Sequence, residues 1–246
     1  MPGAWSRETI GGKPADVYDL TEGTKPRFGV LFLHPVGLET LVDRPTFTQI
    51  LETLRLVCVC PHTLYSWWTD RIYSDFDPKV SAERHALESV VPYFGSRWGI
   101  RPPGIGLLGI SMGGQGALRL AFRHPRVFPV AAGIASAIDF HELYGRGLSI
   151  DQMYDSKEQC RQDTALLHVP PHDPPPHVYF CIDPEDDDWY RGNDRLHEKL
   201  SALGIEHTAD LATSAGGHSW EYFNRMADPA LRFVYQGLEK ESRRLL

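Results

Sequence analysis

Two periodicities alternate along this chain of 246 residues. Short continuous apolar runs, the pattern of strands buried on both faces, are followed by stretches with helical spacing. The runs are Phe28–Leu33, Leu56–Cys60, Gly104–Leu108, Val127–Ala135 and His177–Ile182, with Glu206–Leu211 as a final strand. Helical spacing predicts helices over Pro45–Leu54, Ser81–Trp98, Gln115–Ala121 and Asp194–Leu203, the last closed by Gly204. A terminal helix is expected over Ser219–Leu238, interrupted near Asp228-Pro229, because proline removes a helical hydrogen bond. The opening segment Trp5–Leu20, with Ile10-Gly11-Gly12-Lys13-Pro14 at its middle, predicts an antiparallel hairpin at a sheet edge. Strands alternating with helices imply right-handed crossovers, and so an α/β fold with a mostly parallel central sheet, helices on both faces and an antiparallel N-terminal edge. No repeat or linker divides the chain, so 1–246 is expected to be a single domain. Asp139–Pro176 breaks the alternation and includes Val169-Pro170-Pro171-His172-Asp173-Pro174-Pro175-Pro176. A segment this long between core strands is expected to be a cap or lid beside a site.

Composition changes this picture little. The hydrophobic fraction of 42% and charged fraction of 23% are ordinary for a globular protein. A net charge of −7 speaks against nucleic-acid partners. No apolar stretch reaches bilayer length, so no membrane role is expected. The segment Met1–Glu8 lacks the basic and apolar regions of a secretory leader, so a cytoplasmic location is expected. Cys58 and Cys60 are read as projecting to opposite faces of their strand, a poor arrangement for a shared disulfide, and with Cys160 and Cys181 as buried structural thiols.

The candidate chemistry centres on Gly109-Ile110-Ser111-Met112-Gly113-Gly114, between an apolar strand and a helix of small residues. G-x-S-x-G in that context places a serine hydroxyl at a sharp strand-to-helix turn, at the positive end of a helix. A serine needs a base to take its proton, and the base needs an orienting anion. His218, in Ser214-Ala215-Gly216-Gly217-His218-Ser219-Trp220, is the best base, since it follows the last strand and precedes the last helix. The acid is expected between them, after a strand. Ile182-Asp183-Pro184-Glu185-Asp186-Asp187-Asp188 offers several carboxylates, of which Asp186 leads, followed by Asp187 and Asp183. Charge building on an acyl oxygen calls for two backbone N–H donors. Met112 would give one. Val36 would give the other, with Gly37 and Leu38 as fallbacks, because Pro35 has no N–H. His34 and His62 follow strands and could line the site. His168, His172 and His177 match no compact zinc spacing, so neither metal nor cofactor is expected. No phosphate loop or dinucleotide fingerprint is present.

With these pieces the chain resembles the esterase D-like branch of the α/β-hydrolase superfamily. The resemblance rests on Leu33-His34-Pro35-Val36-Gly37, on Gly109–Gly114 and on Gly216-Gly217-His218-Ser219-Trp220, with Ile182–Leu200 similar to the family's acid loop and following helix. It implies an α/β-hydrolase fold, and a serine carboxylesterase acting on a small or medium ester or thioester through Ser111, His218 and Asp186. Pro35 departs from the family's usual glycine in the first turn. Asp183 stands where a glycine often precedes the aspartate by three residues. The family includes carboxylesterases, S-formylglutathione hydrolase, feruloyl and enterochelin esterases, and acyltransferases. Acyl transfer on the same residues is therefore an alternative, and a non-catalytic binding protein a third. Trp67, Trp68 and the segment from Asp139 are the candidates for substrate contact. A small-molecule ester is the expected partner, and a homo-oligomer is compatible with the sequence.

Overall fold

The computed structural model describes residues 3–244, so Met1 and Pro2, part of the stretch read for a leader, lie outside the described residues. A hairpin of β1 (Ala4–Ile10) and β2 (Lys13–Asp19) leads into β3 (Phe28–Leu33), α1 (Pro45–Leu54) and β4 (Leu56–Pro61). A helix then runs from α2 (Ala82–His85) through a π turn (Ala86–Val90) into α3 (Val91–Trp98). Next come β5 (Ile105–Ile110), α4 (Met112–Arg123) and β6 (Val130–Ile134). Beyond β6 lie a 3-10 turn (Phe140–Leu143), α5 (Ile150–Met153), α6 (Lys157–Gln162) and a second 3-10 turn (Ala165–Leu167). The chain ends with β7 (His177–Cys181), α7 (Tyr190–Ala202), β8 (Thr208–Asp210) and α8 (Trp220–Arg244).

The eight strands form one sheet in the order β1-β2-β4-β3-β5-β6-β7-β8. The hairpin pairs antiparallel with itself and with β4, and all other neighbours are parallel. β3 and β5 are wholly buried, so both faces of these strands need apolar residues, which is why they read as continuous runs. Alternate residues serve opposite faces. Leu31, Leu33 and Leu107 pack with Phe94, Leu120 and Ala121 of α3 and α4. Val30, Phe32, Leu108 and Ile110 pack with Phe47 of α1 and Tyr222, Leu231 and Val234 of α8.

Two expectations are corrected. Cys58 and Cys60 belong to the same apolar face, with Sγ atoms 3.8 Å apart. Residues two apart in a strand share a face, so the reading of opposite faces was wrong, and both thiols are buried and free. The terminal helix is continuous through Pro229 and extends to Arg244. Its buried stripe, including Tyr222, Met226, Ala230 and Val234, packs along the sheet on both sides of the proline, and this packing outweighs one lost hydrogen bond. Gly204 follows α7 in the left-handed region with φ of 67° beside the exposed Leu203.

Candidate active site

The site lies at the C-terminal end of the parallel strands, where β3, β5 and β7 each hand over to a loop. Ser111 sits between β5 and α4 with φ of 55° and ψ of −117°, a conformation rarely tolerated outside glycine. Neighbouring backbone holds it there. The Ser111 N–H donates to the Ile134 carbonyl at 2.9 Å, and the Ser111 carbonyl accepts from Gln115 at 3.1 Å and Ala137 at 3.0 Å. A Cβ on Gly109 would fall on the Gly113 carbonyl, and one on Gly113 would fall on the Leu33 carbonyl. The glycines of G-x-S-x-G thus let α4 descend onto β5 and β3.

The structure brings Ser111, His218 and Asp186 into one hydrogen-bonded line. His218 Nε2 lies 2.9 Å from Ser111 Oγ, and His218 Nδ1 lies 2.6 Å from Asp186 Oδ2. Asp186 is buried, and its other oxygen accepts from the Trp189 N–H at 3.1 Å. With Nδ1–H given to the carboxylate, Nε2 is left to accept the serine proton. Phe223 meets the imidazole edge-on, with ring centres 5.2 Å apart.

Asp183 takes a different place from Asp186. Wholly buried, it accepts backbone N–H bonds from Glu185 at 2.8 Å, Ala215 at 2.6 Å and Gly217 at 3.0 Å. Burial alone would raise its pKa, but these donors outweigh burial and hold the carboxyl below its usual value. Asp183 fastens the loop that carries His218, and Asp186 touches the ring. Asp187 makes no contribution of this kind.

Around the first turn, Val36 is half-exposed and shares a cavity wall with Ser111, while Met112 opens α4 directly after the serine. The N–H groups in the first turn of a helix have no partner within it. His34 does not line the cavity, as the sequence suggested it could. It is fully buried, its Nδ1 donating to the Pro35 carbonyl at 2.6 Å and its Nε2 accepting from the Thr63 N–H at 3.1 Å. Burial pushes its pKa down to about 4, so the ring is neutral at pH 7 and braces the turn before Val36. His62 is also engaged elsewhere, 2.9 Å from Asp16.

A cavity of about 520 Å³ opens over Ser111 and His218. Trp67 lines it, as do Tyr65 and Tyr73 from the same loop and Val36 from the first turn. Leu143, Gly147, Leu148, Ser149 and Gln152 from the segment over 139–176 also line it, and so does Trp189. Trp68 departs from expectation. It is fully buried beneath the site, donating its indole N–H to the His34 carbonyl at 3.2 Å. Adjacent residues in this turn point differently, so one tryptophan faces the cavity and the other packs. Sequence reading also missed Trp189, although its place three residues after Asp186 was a usable signal. His168 and His177 go to separate partners, Asp163 and Glu241.

Behind the site, Arg119 of α4 is buried between Glu83 of α2 and Asp163, which follows α6. Arg123 and His124 also reach Glu83, while the Tyr154 hydroxyl and His168 reach Asp163. Burial would raise both acids, but His124, Arg119 and Arg123 around Glu83, and His168, Arg119 and Tyr154 around Asp163, lower each to about 2.

The strand order and crossovers are those of the α/β-hydrolase fold. A family model described as "Putative esterase" matches residues 83–234, and the chain belongs to this esterase family of hydrolases. No curated protein matches the chain. Among solved structures, it is similar to FphF, a fluorophosphonate-binding serine hydrolase of Staphylococcus aureus, with a TM-score of 0.77 at 17% identity, covering 96% of this chain and 99% of that one. It is also similar to an S-formylglutathione hydrolase from Agrobacterium tumefaciens, with a TM-score of 0.77 at 16% identity, covering 97% and 100%. A ferulic acid esterase aligns with a TM-score of 0.77 at 16% identity, covering 96% and 100%. At such identities the likeness establishes a shared fold. Among the described residues, no helix is long and apolar enough to cross a membrane.

Proposed function

We propose that the protein is a serine carboxylesterase that cleaves a small or medium ester through an acyl-enzyme. The reading rests on one observation above all, the continuous line from Asp186 through His218 to Ser111 beneath an open cavity. In this mechanism Ser111 Oγ attacks the ester carbonyl as His218 Nε2 takes its proton. The oxyanion is met by backbone N–H groups of Met112 and the Val36 turn. Collapse of the tetrahedral intermediate expels the alcohol, which receives the proton from His218. Water then attacks the acyl-enzyme by the same route, releasing the acid and restoring Ser111. Asp186 keeps the imidazole in the tautomer that can accept at Nε2 and stabilises it once charged. The segment over 139–176 serves as a cap that closes one side of the cavity.

Replacing Ser111 with alanine tests the proposal. The variant is expected to lose ester turnover by on the order of 10³-fold or more, and to lose covalent labelling by a fluorophosphonate probe. Undiminished hydrolysis by Ser111→Ala would exclude the mechanism.

A further inference from the structure

The walls of the cavity are aromatic and uncharged. Tyr65, Trp67, Tyr73 and Trp189 contribute rings, and no lysine, arginine, aspartate or glutamate side chain lines it among the described residues. Arg146 is exposed beside the lining Gly147 but is not part of the wall. The Tyr73 hydroxyl donates to Asp75 at 2.9 Å, and burial together with this carboxylate raises its pKa to about 12. Asp75 is exposed and does not line the cavity itself. An anionic group entering here would shed its water and find no lysine or arginine in the wall to replace it. Apolar surface extends to the rim, where Val36, Tyr65 and Leu148 are 44%, 46% and 41% exposed.

Trp67 is held from several directions. Its backbone has φ of 54°, in the region that bulky residues seldom adopt. Its carbonyl accepts from Gln115 Nε2 at 2.9 Å, and its ring stacks on Phe140 with centres 4.9 Å apart and planes 17° apart. Its Nε1–H donates to Ser149 Oγ at 3.2 Å, while the same hydroxyl donates to the Tyr65 carbonyl at 2.7 Å. Ser149 thus ties the segment over 139–176 to the loop carrying Tyr65 and Trp67. The loop before it is also fixed, since Asp151 accepts the N–H groups of Gly145 and Gly147 at 2.7 Å each. Such a cavity discriminates because its shape is set before the ligand arrives.

Resting on the serine-esterase proposal, we infer that the cavity takes uncharged esters bearing a ring-sized apolar group. Ser149 is the positioning residue that fixes Trp67 as the surface against which that group packs.

The test compares kcat and KM for methyl acetate, methyl 3-phenylpropanoate, benzyl acetate and monomethyl succinate by proton release, with a fluorophosphonate probe reporting Ser111 in parallel. At least one ring-bearing ester is expected to exceed both methyl acetate and monomethyl succinate by about tenfold in kcat/KM. Preference for phenylpropanoate places the ring on the acyl side, and preference for benzyl acetate places it on the alcohol side. Ser149→Ala is expected to raise KM for the preferred ring-bearing ester about fivefold more than KM for methyl acetate, and Ser149→Thr to restore the difference. Trp67→Phe keeps a ring but loses the N–H. It should reproduce the Ser149→Ala shift and keeps the test open if that variant does not fold. A labelled Ser111 without preference for a ring, with preference for the succinate, or with no turnover of any ester overturns the inference. So does an equal KM change on both esters in the variants. Absence of labelling together with absence of turnover would instead end the serine-esterase proposal, and this inference with it.

Discussion

The two aspartates of the acid loop separate two tasks that a sequence leaves entangled. Asp186 contacts the imidazole, and Asp183 contacts the backbone that carries it. Asp186→Asn keeps the volume and one acceptor oxygen but removes the charge that steadies an imidazolium. It is expected to lower kcat by on the order of 10³ to 10⁴-fold while moving the melting temperature little. Asp183→Ala leaves three backbone N–H groups without their acceptor. It is expected to lower the melting temperature by roughly 4–8 °C, corresponding to about 2 kcal/mol in a chain of this size, with a smaller loss of kcat. Thermal melting of the two variants beside their steady-state rates checks the division. Ordering Asp183 behind Asp186 was within reach of the sequence through the resemblance to a family acid loop. The work Asp183 does was not, because two of its three backbone partners, Ala215 and Gly217, lie more than thirty positions away, in a loop with no side-chain signature for them.

Among the helices, α4 links the candidate nucleophile to several distant segments. Its first turn touches the nucleophile candidate, Gln115 reaches Trp67 and the Ala165 N–H, and Arg119 is clamped between Glu83 and Asp163. It therefore ties the reacting end of β5 to both α2 and the segment over 139–176. Removing the cation while leaving two buried acids is costly, so Arg119→Met is expected to destabilise by about 3–5 kcal/mol, read as a lower midpoint in urea. The acids also set a pH dependence. Their pKa values are about 2 in the folded protein and near 4 when unfolded. The stability they confer is full above the unfolded value and is lost as pH falls from about 4 to about 2. Melting temperature followed from pH 6 to pH 3 is expected to drop, and Glu83→Gln with Asp163→Asn is expected to start lower and fall less steeply. Little of this could be read from the chain. Arg119 lies in a helix whose apolar spacing announced only a packed face, and buried charges become intelligible once their partners from distant segments are seen.

For the molecule as a whole, the fold was legible because its central strands are buried on both sides. Phe28–Leu33 and Leu56–Pro61 are wholly apolar or small for that reason, and α1 between them buries Phe47 and Leu51. Cys58 and Cys60 were misplaced by misapplying the strand's period of two, and other failures came where a local rule met a long-range constraint. Pro229 suggested a break that the packing of Met226, Ala230 and Val234 on the sheet closes over. Trp67 and Trp68 looked equivalent until the turn sent one to the cavity and the other beneath His34. The exposed turn at Leu203-Gly204 has a consequence for covalent continuity. Everything after it, β8, the His218 loop and α8, is secured by the edge of β7, by Asp183 and by the apolar stripe across the sheet, none of which needs the peptide bond at 204. A protease recognition sequence inserted after Gly204 and then cleaved is expected to yield two pieces that co-elute and still hydrolyse ester. The serine and histidine would then be served by separate polypeptides.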